Sequence, residues 1–213
     1  NVNGTENIFK LAKEYGFKVV YASSSSVYGN PKKIPINEDD DRKPINPYAE
    51  TKLDGEVLAK KYSEMGVKVI GLRYFNVFGK RQSKEYAGVI KLFLHNIQQK
   101  KSPKINGDGL QTRDFVHIDD VVRANIFAMD SDINHKFFNV GSGSAISILD
   151  LANLIIGASS LSLKPIHGPE LSGDVRSTQA DIKLIRKLLN WEPKTNLADW
   201  LTKIISNKNF QDI

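Results

Sequence analysis

The chain has 213 residues, 40% hydrophobic and 25% charged, with a net charge of +6 and no cysteine. That suffices for one sizeable domain or two small lobes, and the composition is too apolar for a disordered chain. Disulfides, thiolate metal sites and cysteine nucleophiles are excluded, which fits a reducing cytoplasm, and no apolar run reaches the roughly 18 residues of a membrane span. His95, His117, His135 and His167 show no metal-ligand spacing, so no metal site is expected; His95 and His135 read as surface residues. The lysines are scattered and not interleaved with aromatics. The positive balance is therefore assigned to a diphosphate-bearing ligand rather than to nucleic acid.

In chain order, Val2, Ile8, Leu11 and Ala12 recur at helical spacing and predict a helix over 1–15. Lys18-Val-Val-Tyr-Ala22 is a short β-branched run that predicts a buried strand, followed by Ser23-Ser-Ser-Ser26. After a loop rich in Pro and Asp, Asn46-Pro47 supplies an N-cap and a first-turn proline for a helix over 46–65, closed before Gly66. Residues 68–73 predict the next strand. Further on, helices are expected over 86–99, 119–129, 148–156, 181–189 and 197–205, and a strand over 137–140 ending in Gly141-Ser-Gly143.

The chemistry-bearing feature is Tyr48-Ala-Glu-Thr-Lys52. A tyrosine and a lysine four apart on a helix share a face, and an ammonium beside a phenol favours the phenolate, the form that serves as a general base. Alone, such a pair occurs by chance in many helices. Here it begins a helix that follows a strand ending in serines, and in open α/β sheets that carboxyl edge is where ligands bind.

Several blocks extend this pattern: Asn1-Val-Asn-Gly-Thr5, Ser23-Ser-Ser-Ser-Val-Tyr-Gly29, Asn46-Pro-Tyr-Ala-Glu-Thr-Lys52, Arg73-Tyr-Phe-Asn-Val-Phe-Gly-Lys-Arg-Gln82, Gly107-Asp-Gly-Leu-Gln-Thr-Arg-Asp-Phe-Val-His-Ile-Asp-Asp120, Phe138-Asn-Val-Gly-Ser-Gly143 and Gly173-Asp-Val-Arg176. In this order and spacing the chain resembles an extended short-chain dehydrogenase/reductase of the nucleotide-sugar epimerase/dehydratase group, of the UDP-glucose or UDP-N-acetylglucosamine 4-epimerase type. The resemblance implies an α/β fold: the C-terminal part of a Rossmann-like parallel sheet over 1–83, a return to it over 113–143, and a smaller mixed α/β substrate-binding lobe from 84–112 and 144–213. The dinucleotide fingerprint G-x-G-x-x-G does not occur in these residues, and the resemblance implies that about a hundred family residues lie upstream of Asn1. The 213 residues alone are therefore expected to be inactive.

The resemblance also implies roles. Tyr48 is the general base, Lys52 its partner and a ligand of the nicotinamide ribose of NAD, and Ser24 the hydroxyl on the same sugar oxygen. Asn1, Ser23 and Tyr74 join the cofactor side. Asn76, Arg113 and Arg176 meet the phosphates, although relatives often carry an arginine where Leu171 stands. Ile105 and Asn106 lie near the nucleotide base. Thr178, of intermediate size, borders the sugar pocket and leans the substrate towards UDP-GlcNAc/UDP-GalNAc, with UDP-Glc/UDP-Gal as the further possibility.

Ser25 and Ser26 stand where dehydratase relatives carry an Asp-Glu pair and decarboxylase relatives a Glu, and a serine cannot do the acid–base work of elimination. C4 epimerisation through a transient 4-keto sugar is therefore the expected reaction. A decarboxylase, dehydratase or reductase of the same family, and a catalytically inactive binding protein, are the alternatives. The helices over 2–15 and 46–65 are expected to form a homodimer interface.

Overall fold

The computed structural model describes residues 1–82, 88–171, 173 and 175–207. A three-layer unit comes first. Strands β1 (Val19–Ser24), β2 (Val69–Tyr74) and β6 (His135–Val140) form a wholly parallel sheet in the order β1-β2-β6. Strand β2 is buried along Val69 to Arg73 because both faces are covered, as expected of a parallel sheet.

On one face lie α1 (Val2–Tyr15) and α2 (Pro47–Glu64), which close over Phe9, Tyr21, Tyr62 and Val69. On the other lie α4 (Ile118–Asp130) and α6 (Lys183–Leu189), whose Val121, Ala124, Ile185 and Leu189 meet Ile70, Leu72 and Phe138. Fully burying one such aliphatic side chain stabilises by about 1.5–3 kcal/mol.

The start of α2 follows from its sequence. Asn46 accepts from the Ala49 amide at 2.9 Å and Pro47 occupies the first turn. Helix α1 differs from the expectation drawn from periodicity. Phe9 and Ala12 are buried, whereas Ile8 and Leu11 face outward, so the helix carries two apolar faces.

A second core gathers α3 (Val89–Gln98), α5 (Ile148–Ser159) and α7 (Leu197–Ser206) against β5 (Thr112–His117), with Phe93, Leu94, Leu151, Ile155 and Leu201 fully buried. Strand β5 pairs with β3 (Asn76–Phe78) and antiparallel with β7 (Ala145–Ser147), and β4 (Lys104–Asn106) pairs with β8 (Ile166–Gly168). Of the segment 113–143, then, α4 and β6 join the main sheet while β5 belongs to a second one. Residues 144–213 are likewise divided, because Ala180 to Trp191 packs into the core of the main sheet. The expected helix over 86–99 begins at Val89 in the described residues, and its first two positions, like the 83/84 boundary and Asp174, lie outside them.

Candidate active site

The sheet delivers Ser24 at the carboxyl end of β1, and α2 delivers Tyr48 and Lys52 beside it. Three consecutive strand residues fasten this junction. The Tyr21 hydroxyl donates to the Lys52 carbonyl at 3.1 Å, Lys52 Nζ donates to the Ala22 carbonyl at 2.8 Å, and Ser23 Oγ donates to Glu56 Oε1 at 2.6 Å. Tyr48 is 53% exposed, and its hydroxyl has no hydrogen-bond partner among the described residues. The Lys52 ammonium lies 5.7 Å from the centroids of both the Tyr48 and the Tyr21 rings. Burial pushes the Lys52 amine below its ordinary value, and two of its three N–H donors stay available for a ligand.

Ser24 caps the short helical turn over Ser25–Tyr28. Its Oγ accepts from the Ser26 amide at 3.2 Å and from the Ser26 hydroxyl at 2.9 Å. As a hydroxyl it also carries one donor of its own.

The remaining expected residues divide. Asn1 Nδ2 donates to Thr51 Oγ1 at 3.0 Å, next to Lys52 on α2. Ser23 is 2% exposed and its hydroxyl is spent on Glu56. Tyr74 donates to Asn125 Oδ1 at 2.9 Å, anchoring it to α4, and burial raises its phenol. Asn76 Nδ2 donates to the Asp114 carbonyl at 3.2 Å, and Arg113 to the Thr112 carbonyl at 2.8 Å. Ile105 is 1% exposed and lies in the second core, so its side chain cannot face a ligand.

Asn106, Gln111, Glu170 and Arg176 line a small cavity of about 130 Å³. There Arg176 forks onto the Asp108 carboxylate with two bonds of 2.9 Å. Thr178 is buried, and its Oγ1 has no partner among the described residues.

Sequence reasoning missed a charged group behind Ser23. Glu56 accepts from Arg73 Nε at 2.9 Å and Nη2 at 2.8 Å and from Arg42 at 3.1 Å. Burial disfavours the Arg73 cation, but the Glu56 bonds outweigh it and hold the guanidinium charged. The available signal was Glu56 itself, one turn after Lys52 on the same helix stripe.

The NAD dependent epimerase/dehydratase family model matches residues 1–141, two thirds of the chain. The chain belongs to this family. A putative UDP-glucose 4-epimerase of Methanocaldococcus jannaschii is 35% identical over 210 residues, which are 97% of this chain and 68% of that protein.

Among solved structures, the UDP-N-acetylglucosamine 4-epimerase of Methanobrevibacter ruminantium in complex with UDP-N-acetylmuramic acid superposes with a TM-score of 0.92 at 32% identity, covering 99% of this chain and 69% of that one. MoeE5 in complex with UDP-glucose and NAD gives a TM-score of 0.88 at 33% identity, covering 98% and 70%. Family members named as decarboxylases also match, one from Bacillus cytotoxicus at 33% identity over 96% of this chain and 68% of its own length. The Rossmann-like α/β architecture expected from the sequence is the one these epimerase-family structures share.

Tyr48 and Lys52 fit one end of a dinucleotide. A half-exposed phenol and an amine with donors to spare sit at the carboxyl edge of a parallel sheet, where such ligands bind.

Proposed function

We propose that this family member catalyses NAD-dependent epimerisation of a UDP-hexose at C4 through a transient 4-keto sugar. The carrying observation is the site's makeup: an exposed Tyr48 hydroxyl with no partner among the described residues, Lys52 one turn on, and a Ser24 hydroxyl at the end of β1, with serines and no carboxylate at 25 and 26.

Tyr48 takes the proton of the sugar 4-hydroxyl and returns it at the end of the cycle. Ser24 hydrogen-bonds the same oxygen from the end of β1. Lys52 holds the nicotinamide ribose, and its charge favours the deprotonated phenol. Bound NAD would supply a reversible hydride acceptor for the C4 oxidation. Arg113, Asn76 and Arg176 serve the diphosphate, Asn106 lies near the base, and Thr178 borders the sugar pocket. That last contact favours UDP-GlcNAc/UDP-GalNAc, with UDP-Glc/UDP-Gal second. The second core supplies the lobe that closes on the sugar nucleotide.

Decarboxylation and dehydration are disfavoured, because each needs a carboxylate where Ser25 and Ser26 stand. We place the protein in the cytoplasm on its lack of cysteine. We assign it a homodimer built on α1 and α2, on which Ile8, Leu11, Tyr15 and Val57 are exposed apolar side chains; light scattering at the monomer mass overturns the dimer. The reaction is tested with protein expressed from its native start codon. Acid release should yield stoichiometric NAD, and UDP-GlcNAc should convert to UDP-GalNAc. Absence of both overturns the reading, and accumulation of a 4-keto product transfers it to a dehydratase.

A further inference from the structure

The Glu56 carboxylate, fully buried behind the site, meets donors from three segments of the chain. Ser23 is the last residue but one of β1, Arg73 lies near the end of β2, and Arg42 precedes α2. Arg73 also donates to the Tyr28 hydroxyl at 2.7 Å and to the Glu38 carbonyl at 2.8 Å, and Tyr28 donates to Asn139 Oδ1 of β6 at 2.7 Å. The carboxylate on α2 thus joins the ends of β1 and β2 directly and reaches β6 through Arg73 and Tyr28.

Stability alone does not account for this group. A buried ion pair is costly to desolvate, and well-packed apolar side chains of the same volume often do as well or better. What directional bonds add is register. Apolar contacts between a helix and a sheet tolerate sliding; a carboxylate held by forked bonds does not. The location fits such a task. Ser23 precedes Ser24 and Arg73 precedes Tyr74, while Glu56 lies one turn beyond Lys52 and two beyond Tyr48 on the same helix stripe.

We propose that Glu56 is a positioning residue: through Ser23 and Arg73 it fixes the depth and rotation of α2 against β1, so that Tyr48 and Lys52 meet the Ser24 hydroxyl in reactive alignment. This rests on the 4-epimerase reading. Tyr21 and Ala22 place the Lys52 end of the same junction, and Ser23–Glu56 sets the second point that stops the helix from pivoting about it.

The test uses protein expressed from its native start codon and the variant Ser23→Ala, which removes one bond without stranding a charge. The expected result is a kcat lowered about 10- to 100-fold, the scale of a small misplacement of reacting groups. KM for the UDP-hexose and bound NAD per chain should stay at wild-type values. Ser23→Thr, which keeps the hydroxyl, should restore most of the loss. Amide exchange over residues 47–52 should quicken in Ser23→Ala while α1 is unchanged. Glu56→Gln should act in the same direction and further.

A Ser23→Ala variant with wild-type kcat and exchange, or one in which kcat and bound NAD fall in parallel, overturns the proposal. A wild-type protein that converts no UDP-hexose overturns the epimerase reading instead. Exchange over 47–52 then still decides whether Ser23 and Glu56 hold that turn.

Discussion

The Tyr21 hydroxyl reaches the Lys52 carbonyl only because residue 55 is glycine. A Cβ at Gly55 would stand 2.0 Å from the Tyr21 oxygen. Within a helix, Gly→Ala ordinarily stabilises by about 0.5–1 kcal/mol. Here the sign should reverse. Gly55→Ala should destabilise by about 1–3 kcal/mol, the cost of overpacking, as the Tyr21 ring is driven off the helix. Chemical denaturation of the two proteins checks this, and a stabilised variant would show that the ring relocates freely.

Tyr48→Phe should lower turnover of the full-length protein at least ~100-fold, since the phenylalanine ring fills the same space without a proton acceptor. NAD released on denaturation should be unchanged. Near-normal turnover would remove Tyr48 from the role of base.

The Arg176–Asp108 fork is exposed, and Asp108 is held below the usual carboxylate range first by its hydrogen bonds from Arg176. If Arg176 serves the diphosphate, it must exchange this partner for the ligand. Arg176→Ala should then raise KM for the UDP-hexose about tenfold or more, whereas Asp108→Ala should lower it by up to about fivefold, the worth of an exposed ion pair. Equal KM in wild type and Asp108→Ala would mean that no exchange takes place.

His117 is buried against Phe78 and Trp200, and its Nδ1 accepts from the Asp119 amide as the cap of α4. Burial pushes its imidazole below the ordinary 6.5. The unfolded chain therefore binds a proton that the folded one refuses. This contribution to stability is complete above pH 6.5 and is lost as pH falls towards the folded value. His135 shifts in the same direction, while Glu38 and Asp114, raised by burial, contribute with opposite sign. The informative comparison is thus with His117→Asn, which retains a cap acceptor. Its melting temperature should fall less than that of the wild type between about pH 7 and pH 5.

Much of the scaffold was legible because its signals are local. Asn46-Pro47 begins α2, and Tyr48 and Lys52 share a face by the period of that helix alone. Alternating exposure along β1 follows from the two-residue period of a strand, and it puts Tyr21 and Ser23 together against α2. The three-residue strands β3, β4, β7 and β8 gave no warning, since three residues carry no measurable period.

The sequence by itself determined that the Tyr48 phenol and the Lys52 amine share one helix face and that serines close β1. Tertiary structure alone decided where their neighbours point. Ser23 and Ser24 are adjacent in the chain, yet one is buried on Glu56 and the other is half-buried and caps the turn that follows β1. Ile105, expected near the base, is sealed in the second core, and Arg73 finds its counter-charge 17 residues away across a helix and a strand. Periodicity places a side chain on a face, but whether that face meets solvent, a ligand or a buried carboxylate depends on elements remote in sequence.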